Sequence, residues 1–211
     1  SRGLGDVYKR QESSQMPSAR TRGLSTYDRI AARNYAWEHT YPGYGVNTNN
    51  PDEDGWLAPN NCGHGYYVDR NYWNDTDYPI DTCLAWGHCH NDCACFVSQC
   101  LVAGGIPTTE GQNGWEFPTD GDPTYAWHNT GGLKTYMTNN GYWDNSTFAA
   151  CNAGNVVYTD SGHVTLCTLN DTITRRYTAH TNDRNNKIYS SAYEYLSLIH
   201  ISEPTRHSLI S

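Results

Sequence analysis

The chain has 211 residues and a formal net charge of −8 at pH 7, from 14 Lys and Arg against 22 Asp and Glu. That acidity argues against nucleic acid and anionic membrane as partners, and no apolar run is long enough to cross a bilayer. Eight cysteines, scarce Lys and abundant Tyr, Trp, Asn, Asp, Thr and Gly point to a secreted or cell-surface protein in an oxidising compartment.

Residues 1–11 (SRGLGDVYKRQ) and 196–211 (LSLIHISEPTRHSLIS) look like translated sequencing-adapter DNA, and are set outside the fold argument. The head carries Arg2, Lys9 and Arg10 against Asp6, so the remainder is more acidic still. Residues 12–24 are polar and basic, a linker. Residues 25–195 are one domain's worth of chain.

Tyr27, Ile30, Ala31, Asn34 and Tyr35 follow helical spacing and predict a helix over 25–40, capped by Ser25 or Thr26 and stopped by Tyr41-Pro42-Gly43-Tyr44. Residues 47–91 are irregular and rich in Gly, Asn, Asp, Tyr and Trp. A loop of that length is functional, disordered or stapled, and Cys62, Cys83 and Cys89 argue for staples.

Cys93, Phe96, Val97, Cys100 and Leu101 recur at helical spacing, an apolar stripe between Asp92 as N-cap and Gly104-Gly105 as stop. Cys93 then sits in the first turn, where the helix dipole and unpaired N–H groups favour a thiolate. A lone cysteine on such a stripe is otherwise a core residue. A loop over 106–122 follows, then a helix over 129–140 on Leu133, Tyr136 and Met137. Strands are predicted over 155–159, 163–168 and 173–180, with a strand or short helix over 188–195. Helices followed by an antiparallel sheet make an α+β arrangement.

Asp92-Cys93-Ala94-Cys95-Phe96-Val97-Ser98-Gln99-Cys100-Leu101, with Ala103-Gly104-Gly105 behind it, resembles the nucleophile helix of the putative amidase domain family. That family belongs to the papain-like cysteine hydrolases related to bacterial cell-wall peptidases. Its run usually has Thr-Asn where Ala94 and Cys95 stand here. Three further stretches are similar: the opening helix Tyr27 to Trp37, Tyr125-Ala126-Trp127, and Gly154-Asn155-Val156-Val157 followed by Ser161-Gly162-His163-Val164. Asn155 stands where the family commonly has Asp. The run Ala179-His180-Thr181-Asn182-Asp183 also fits the family.

The resemblance implies a papain-like α+β fold, with the nucleophile helix packed on a small antiparallel sheet. It implies Cys93 as nucleophile and His163 as base, holding a thiolate–imidazolium pair and then protonating the leaving amine. A third polar group must orient the imidazole; His180 is the first choice and Asp183 the next, though Asp183 also suits a turn. The oxyanion would meet the backbone N–H of Cys93 and one donor not identified. The substrate class would be peptide or peptidoglycan-like, with no cofactor and no metal.

Two rival readings remain. The departures at Cys95 and Asn155 suit a disulfide-rich secreted module that binds glycan or peptide on an inactive hydrolase scaffold. Disulfides could link Cys83 to Cys89, Cys62 to either, or Cys95 to one of them; Cys151 and Cys167 could join strands or stay buried thiols. Alternatively Cys62, His64, Cys83, His88, Cys89, His90, Cys93 and Cys95 could hold zinc, though without a clean finger spacing. Asn50-Pro51-Asp52-Glu53-Asp54-Gly55 imitates a calcium loop faintly, with Asn61 where Glu is wanted. Trp56, Tyr66, Tyr67, Tyr72 and Trp73 could wall a cleft or simply pack the insertion.

Overall fold

A computed structural model describes residues 27–40, 92–118, 122–159, 161–181, 183–189 and 197–201. The predicted staples at Cys62, Cys83 and Cys89, the calcium-like loop, the aromatic wall and most of the zinc set lie outside the described residues.

Helix α1 (Arg29–Glu38) starts later than its periodicity predicts. Its cap is Asp28, not Ser25 or Thr26: the carboxylate accepts from the amides of Ile30 at 2.9 Å and Ala31 at 3.0 Å. Ala32 and Ala36, four residues apart, are its buried face. The small side chains let α1 press on helix α2 (Cys93–Ala103).

The predicted single stripe of α2 is too narrow. Every residue from Cys93 to Leu101 is buried, as suits a helix enclosed on all sides. The oxygens of its polar side chains are partnered, whereas the Gln99 amide nitrogen is buried without a hydrogen-bond partner. The Ser98 hydroxyl donates to the Trp127 carbonyl at 3.0 Å and accepts from Trp115 Nε1 at 2.9 Å; the Tyr35 hydroxyl donates to Gln99 Oε1 at 2.9 Å. The helix stops as its sequence predicts. Gly105 takes φ 93°, its N–H reaches the Val102 carbonyl and the Ile106 N–H reaches that of Leu101, a Schellman closure.

A short helix α3 (Tyr125–His128) leads into α4 (Thr130–Asn139), capped by Asn129, whose side chain accepts from Gly132 N at 3.0 Å. The rest is sheet: β1 (Trp143–Ser146), β2 (Val156–Tyr158), β3 (Val164–Asn170), β4 (Arg175–Ala179), β5 (Arg184–Ile188) and β6 (Ser197–Ile201). The order is β1-β6-β2-β3-β4-β5, antiparallel throughout. Strand β6 comes from the segment set aside as a tail and pairs with both β1 and β2.

Period-two alternation sorts the strands into two faces. Val156, Val164 and Leu166 join α2, Trp115, Trp127 and Trp143 in the main core. Val157, Cys167, Tyr177, Ala179, Cys151 and Tyr189 make a second, smaller one. The fold is α+β. Among the described residues no helix is long and apolar enough to cross a membrane.

Candidate active site

The site forms where α2 begins, β3 begins and β4 ends. Antiparallel pairing sets Leu166 opposite Thr178. Continuing that register two steps past the last pair would set Val164 level with His180, and a third step His163 level with Thr181.

The β2–β3 turn delivers His163. The Thr159 N–H donates to the His163 carbonyl at 2.8 Å, and the His163 N–H donates to Thr159 Oγ1 at 3.0 Å. Burial lowers the His163 imidazole below its usual value, the Asp92 charge works against this, and Arg184 adds to it. His163 is therefore neutral at pH 7.

Cys93 lies in the first turn of α2, 6% exposed. Donors act on its sulfur from the Val164 N–H and the Ala94 N–H, and least from the Thr181 hydroxyl. These donors favour a thiolate, yet burial outweighs them and pushes the thiol up to about 11, with the Asp92 charge adding to the rise. The acidified thiol expected from the helix start is thus not the resting state. The dipole term is worth under a kcal/mol or so at an exposed terminus, whereas burial of a charge costs several.

Asp92 does not cap α2 through its side chain. Its Oδ2 is 2.6 Å from His180 Nδ1, and its Oδ1 accepts from the Thr181 hydroxyl at 3.4 Å. The other ring nitrogen of His180, Nε2, is 2.6 Å from the His39 carbonyl oxygen. A carbonyl can only accept, so Nε2 carries a proton; facing a carboxylate, Nδ1 carries one too. Burial alone would lower His180, but the charges of Asp92 and Asp183 and the bonds to Asp92 and His39 raise it to about 9. The ring is stacked on Phe96 at 3.9 Å. His180 is thus a fixed imidazolium whose two nitrogens are taken up by Asp92 and His39. Through Asp92 it holds the residue next to Cys93.

Asp183 sits in the β4–β5 turn with its side chain buried. It is a turn residue, and its charge raises His180. Thr181 was missed. It adopts φ 65°, a left-handed conformation rare for a β-branched residue and costing about 1–3 kcal/mol. The His39 carbonyl was missed as well, and no side-chain pattern could have found it. The adjacency of Asp92 to Cys93 was a usable signal, read only as a cap.

The departures from the usual pattern fall unequally. Asn155 Oδ1 accepts from the Asn152 N–H at 2.7 Å and shapes the turn before β2. It lies about 10 Å along the strand pair from Val164, at roughly 3.3 Å per residue. Cys95 is buried in α2 and is a thiol, as are Cys93, Cys100, Cys151 and Cys167, so no disulfide exists among the described residues. Nor do the described residues hold a metal-ligating cluster.

Residues 26–201 match the family model described as putative amidase domain. The chain belongs to that family. No curated protein and no solved structure matches it. In this putative amidase domain the matched span takes in α1, the whole of α2 and all six strands. The family points to amide-bond hydrolysis as the general chemistry. Every group just described falls inside it.

Proposed function

We propose that this domain is a cysteine-dependent amide hydrolase with a papain-like arrangement, Cys93 as nucleophile and His163 as base. The observation that carries the reading is the approach of the Val164 N–H to the Cys93 sulfur, because Val164 directly follows His163. One backbone contact thereby ties the start of a buried helix to the strand that presents the imidazole.

Both groups rest neutral, so the reading departs from a standing thiolate–imidazolium pair. His163 removes the thiol proton as sulfur attacks the carbonyl carbon, and the negative charge moves onto the carbonyl oxygen. The Cys93 backbone N–H, at a helix N-terminus, suits that oxygen. The imidazolium then protonates the departing amine and leaves a thioester. A water deprotonated by His163 hydrolyses the thioester and releases the acid. Asp183, whose charge acts on His180, serves as a supporting charge.

The substrate class we favour is amide bonds of cell-wall peptides, met outside the cell, with neither nucleic acid nor membrane as partner. The acidic surface supports the exclusion of nucleic acid, and the family's relation to cell-wall peptidases supports the peptide. Peptidoglycan fragments incubated with the protein should gain free amines. Cys93→Ser should abolish the release, and His163→Ala should lower it about 10²–10⁴-fold. Equal release by Cys93→Ser and the wild type would end the reading.

A further inference from the structure

We propose that the cleft beside the start of α1 is a binding site apart from Cys93, and that it takes a peptide by its C-terminal carboxylate on the Arg33 guanidinium. The inference does not rest on the reading of Cys93.

The cleft has a volume of about 640 Å³ and lies between the first turn of α1, the turn ahead of β2 and the far end of β3. That is the size of a small-ligand pocket. Asn170, on its β3 wall, is roughly 20 Å along the strand from His163, at about 3.3 Å per residue. The walls are fixed before any ligand arrives. The Tyr27 hydroxyl donates to the Gly154 carbonyl at 2.8 Å, tying α1 to the turn. Asn170 Nδ2 donates to the Cys151 carbonyl at 2.5 Å, tying β3 to the same turn. The chain is acidic, yet Arg29 and Arg33 both line this cleft from one face of α1.

Arg33 is prepared for a carboxylate. Its Nε and Nη2 both donate to Asn34 Oδ1, at 3.2 and 2.9 Å, and its guanidinium carbon lies 4.4 Å from the centroid of the Trp37 ring. One edge of the plane is thereby held, and the Nη1–Nη2 edge has no partner among the described residues. That edge offers two parallel N–H groups at the spacing of carboxylate oxygens. The N–H groups of Ile30 and Ala31 are already taken by Asp28 Oδ1, so the guanidinium, not the helix start, meets the anion.

Asp28 also lines the cleft, and its other oxygen, Oδ2, suits a ligand N–H. Ile30, half exposed, lines it too and offers an apolar contact. A cation, an N–H acceptor and an apolar contact in one cleft fit the end of a peptide. A bare inorganic anion would use only the first and would be repelled by the Asp28 charge.

The test is isothermal titration calorimetry of the full chain with acetyl-Ala-Ala-Ala as the free acid and as the C-terminal amide. Cys93→Ser is present throughout, so neither probe is hydrolysed. The acid should bind about tenfold or more tightly than the amide, as a charge-assisted bond implies. Arg33→Gln should abolish that preference and leave the affinity for the amide unchanged. Arg33→Lys keeps the charge without the fork and should retain only part of the preference. Should Arg33→Gln prevent folding, Arg33→Lys decides alone. Equal binding of acid and amide would overturn the proposal, as would a preference that survives Arg33→Gln or is undiminished in Arg33→Lys. Displacement of the acid by equimolar sodium sulfate would also overturn it, since the site would then read charge alone. None of these results touches the Cys93 reading, which stands or falls on amine release.

Discussion

The buried pair of Asp92 and His180 gives the domain a pH-dependent stability. The folded His180 titrates at about 9, against about 6.5 for an unfolded histidine. The folded state therefore binds the extra proton between those values. This contribution is complete below about pH 6.5 and lost as pH rises through 9. A gap of that size corresponds to roughly 3 kcal/mol, an order-of-magnitude figure for a coupled buried group. Urea midpoints should fall between pH 6.5 and 9.5, and His180→Gln should flatten that slope while lowering stability at pH 6.5 by about 3–5 kcal/mol, because it leaves Asp92 buried without its counter-ion. A His180→Gln protein with the wild-type slope would place the titrating group elsewhere. At this scale the sequence was half legible. Cys93, His163 and His180 stood out by residue type and by resemblance. Their states did not, because burial, the Val164 N–H and the His39 carbonyl are products of tertiary packing with no signature in the chain.

Elements were more legible than contacts. Helix α2 could be read from its spacing and its Gly104-Gly105 stop, since both are local. Strand β1 was not foreseen, because Trp143-Asp144-Asn145-Ser146 offers a single apolar residue and no alternation. The packing of α1 beside α2 is what the resemblance of the opening helix implies, and the seam supports α2 from behind. There the Asp28 N–H donates to the Gly104 carbonyl at 2.8 Å, and the Tyr27 hydroxyl donates to the Gly154 carbonyl at 2.8 Å. A Cβ at Gly104 would lie 2.3 Å from Tyr27 Cε2 and 3.1 Å from Ala32 Cβ. The tyrosine ring would have to move, and its bond to Gly154 would go with it. Gly104→Ala should lower the unfolding free energy by about 1–3 kcal/mol, seen as a lower denaturant midpoint with the slope unchanged. Loss below 0.5 kcal/mol would show that the ring has room to retreat.

Across the whole molecule the sheet separates two cores with different roles. The face against α2 carries the candidate chemistry; the opposite face gathers Cys151, Val157, Cys167, Tyr177, Ala179 and Tyr189. Cys151 and Cys167 are in mutual hydrogen-bond reach there, and that contact together with burial raises the Cys151 thiol well above its usual value. A thiol so raised is a poor nucleophile, so the pair should resist exchange while the domain is folded. Refolding with a disulfide oxidant such as oxidised glutathione removes that protection. Each protein disulfide formed then consumes one oxidant disulfide and releases two small thiols. The link would join Cys151, in the turn ahead of β2, to Cys167 in the middle of β3 and close a loop of about 15 residues. Such a loop is worth about 3 kcal/mol through the unfolded chain. Peptide maps of material refolded with oxidised glutathione should therefore show a Cys151–Cys167 peptide, absent from native protein given the same reagent. The crosslinked form should melt several degrees higher. If it melts lower, the two sulfurs are packed as neighbours but not oriented for a bond, and the second core serves a reducing compartment as well as an oxidising one.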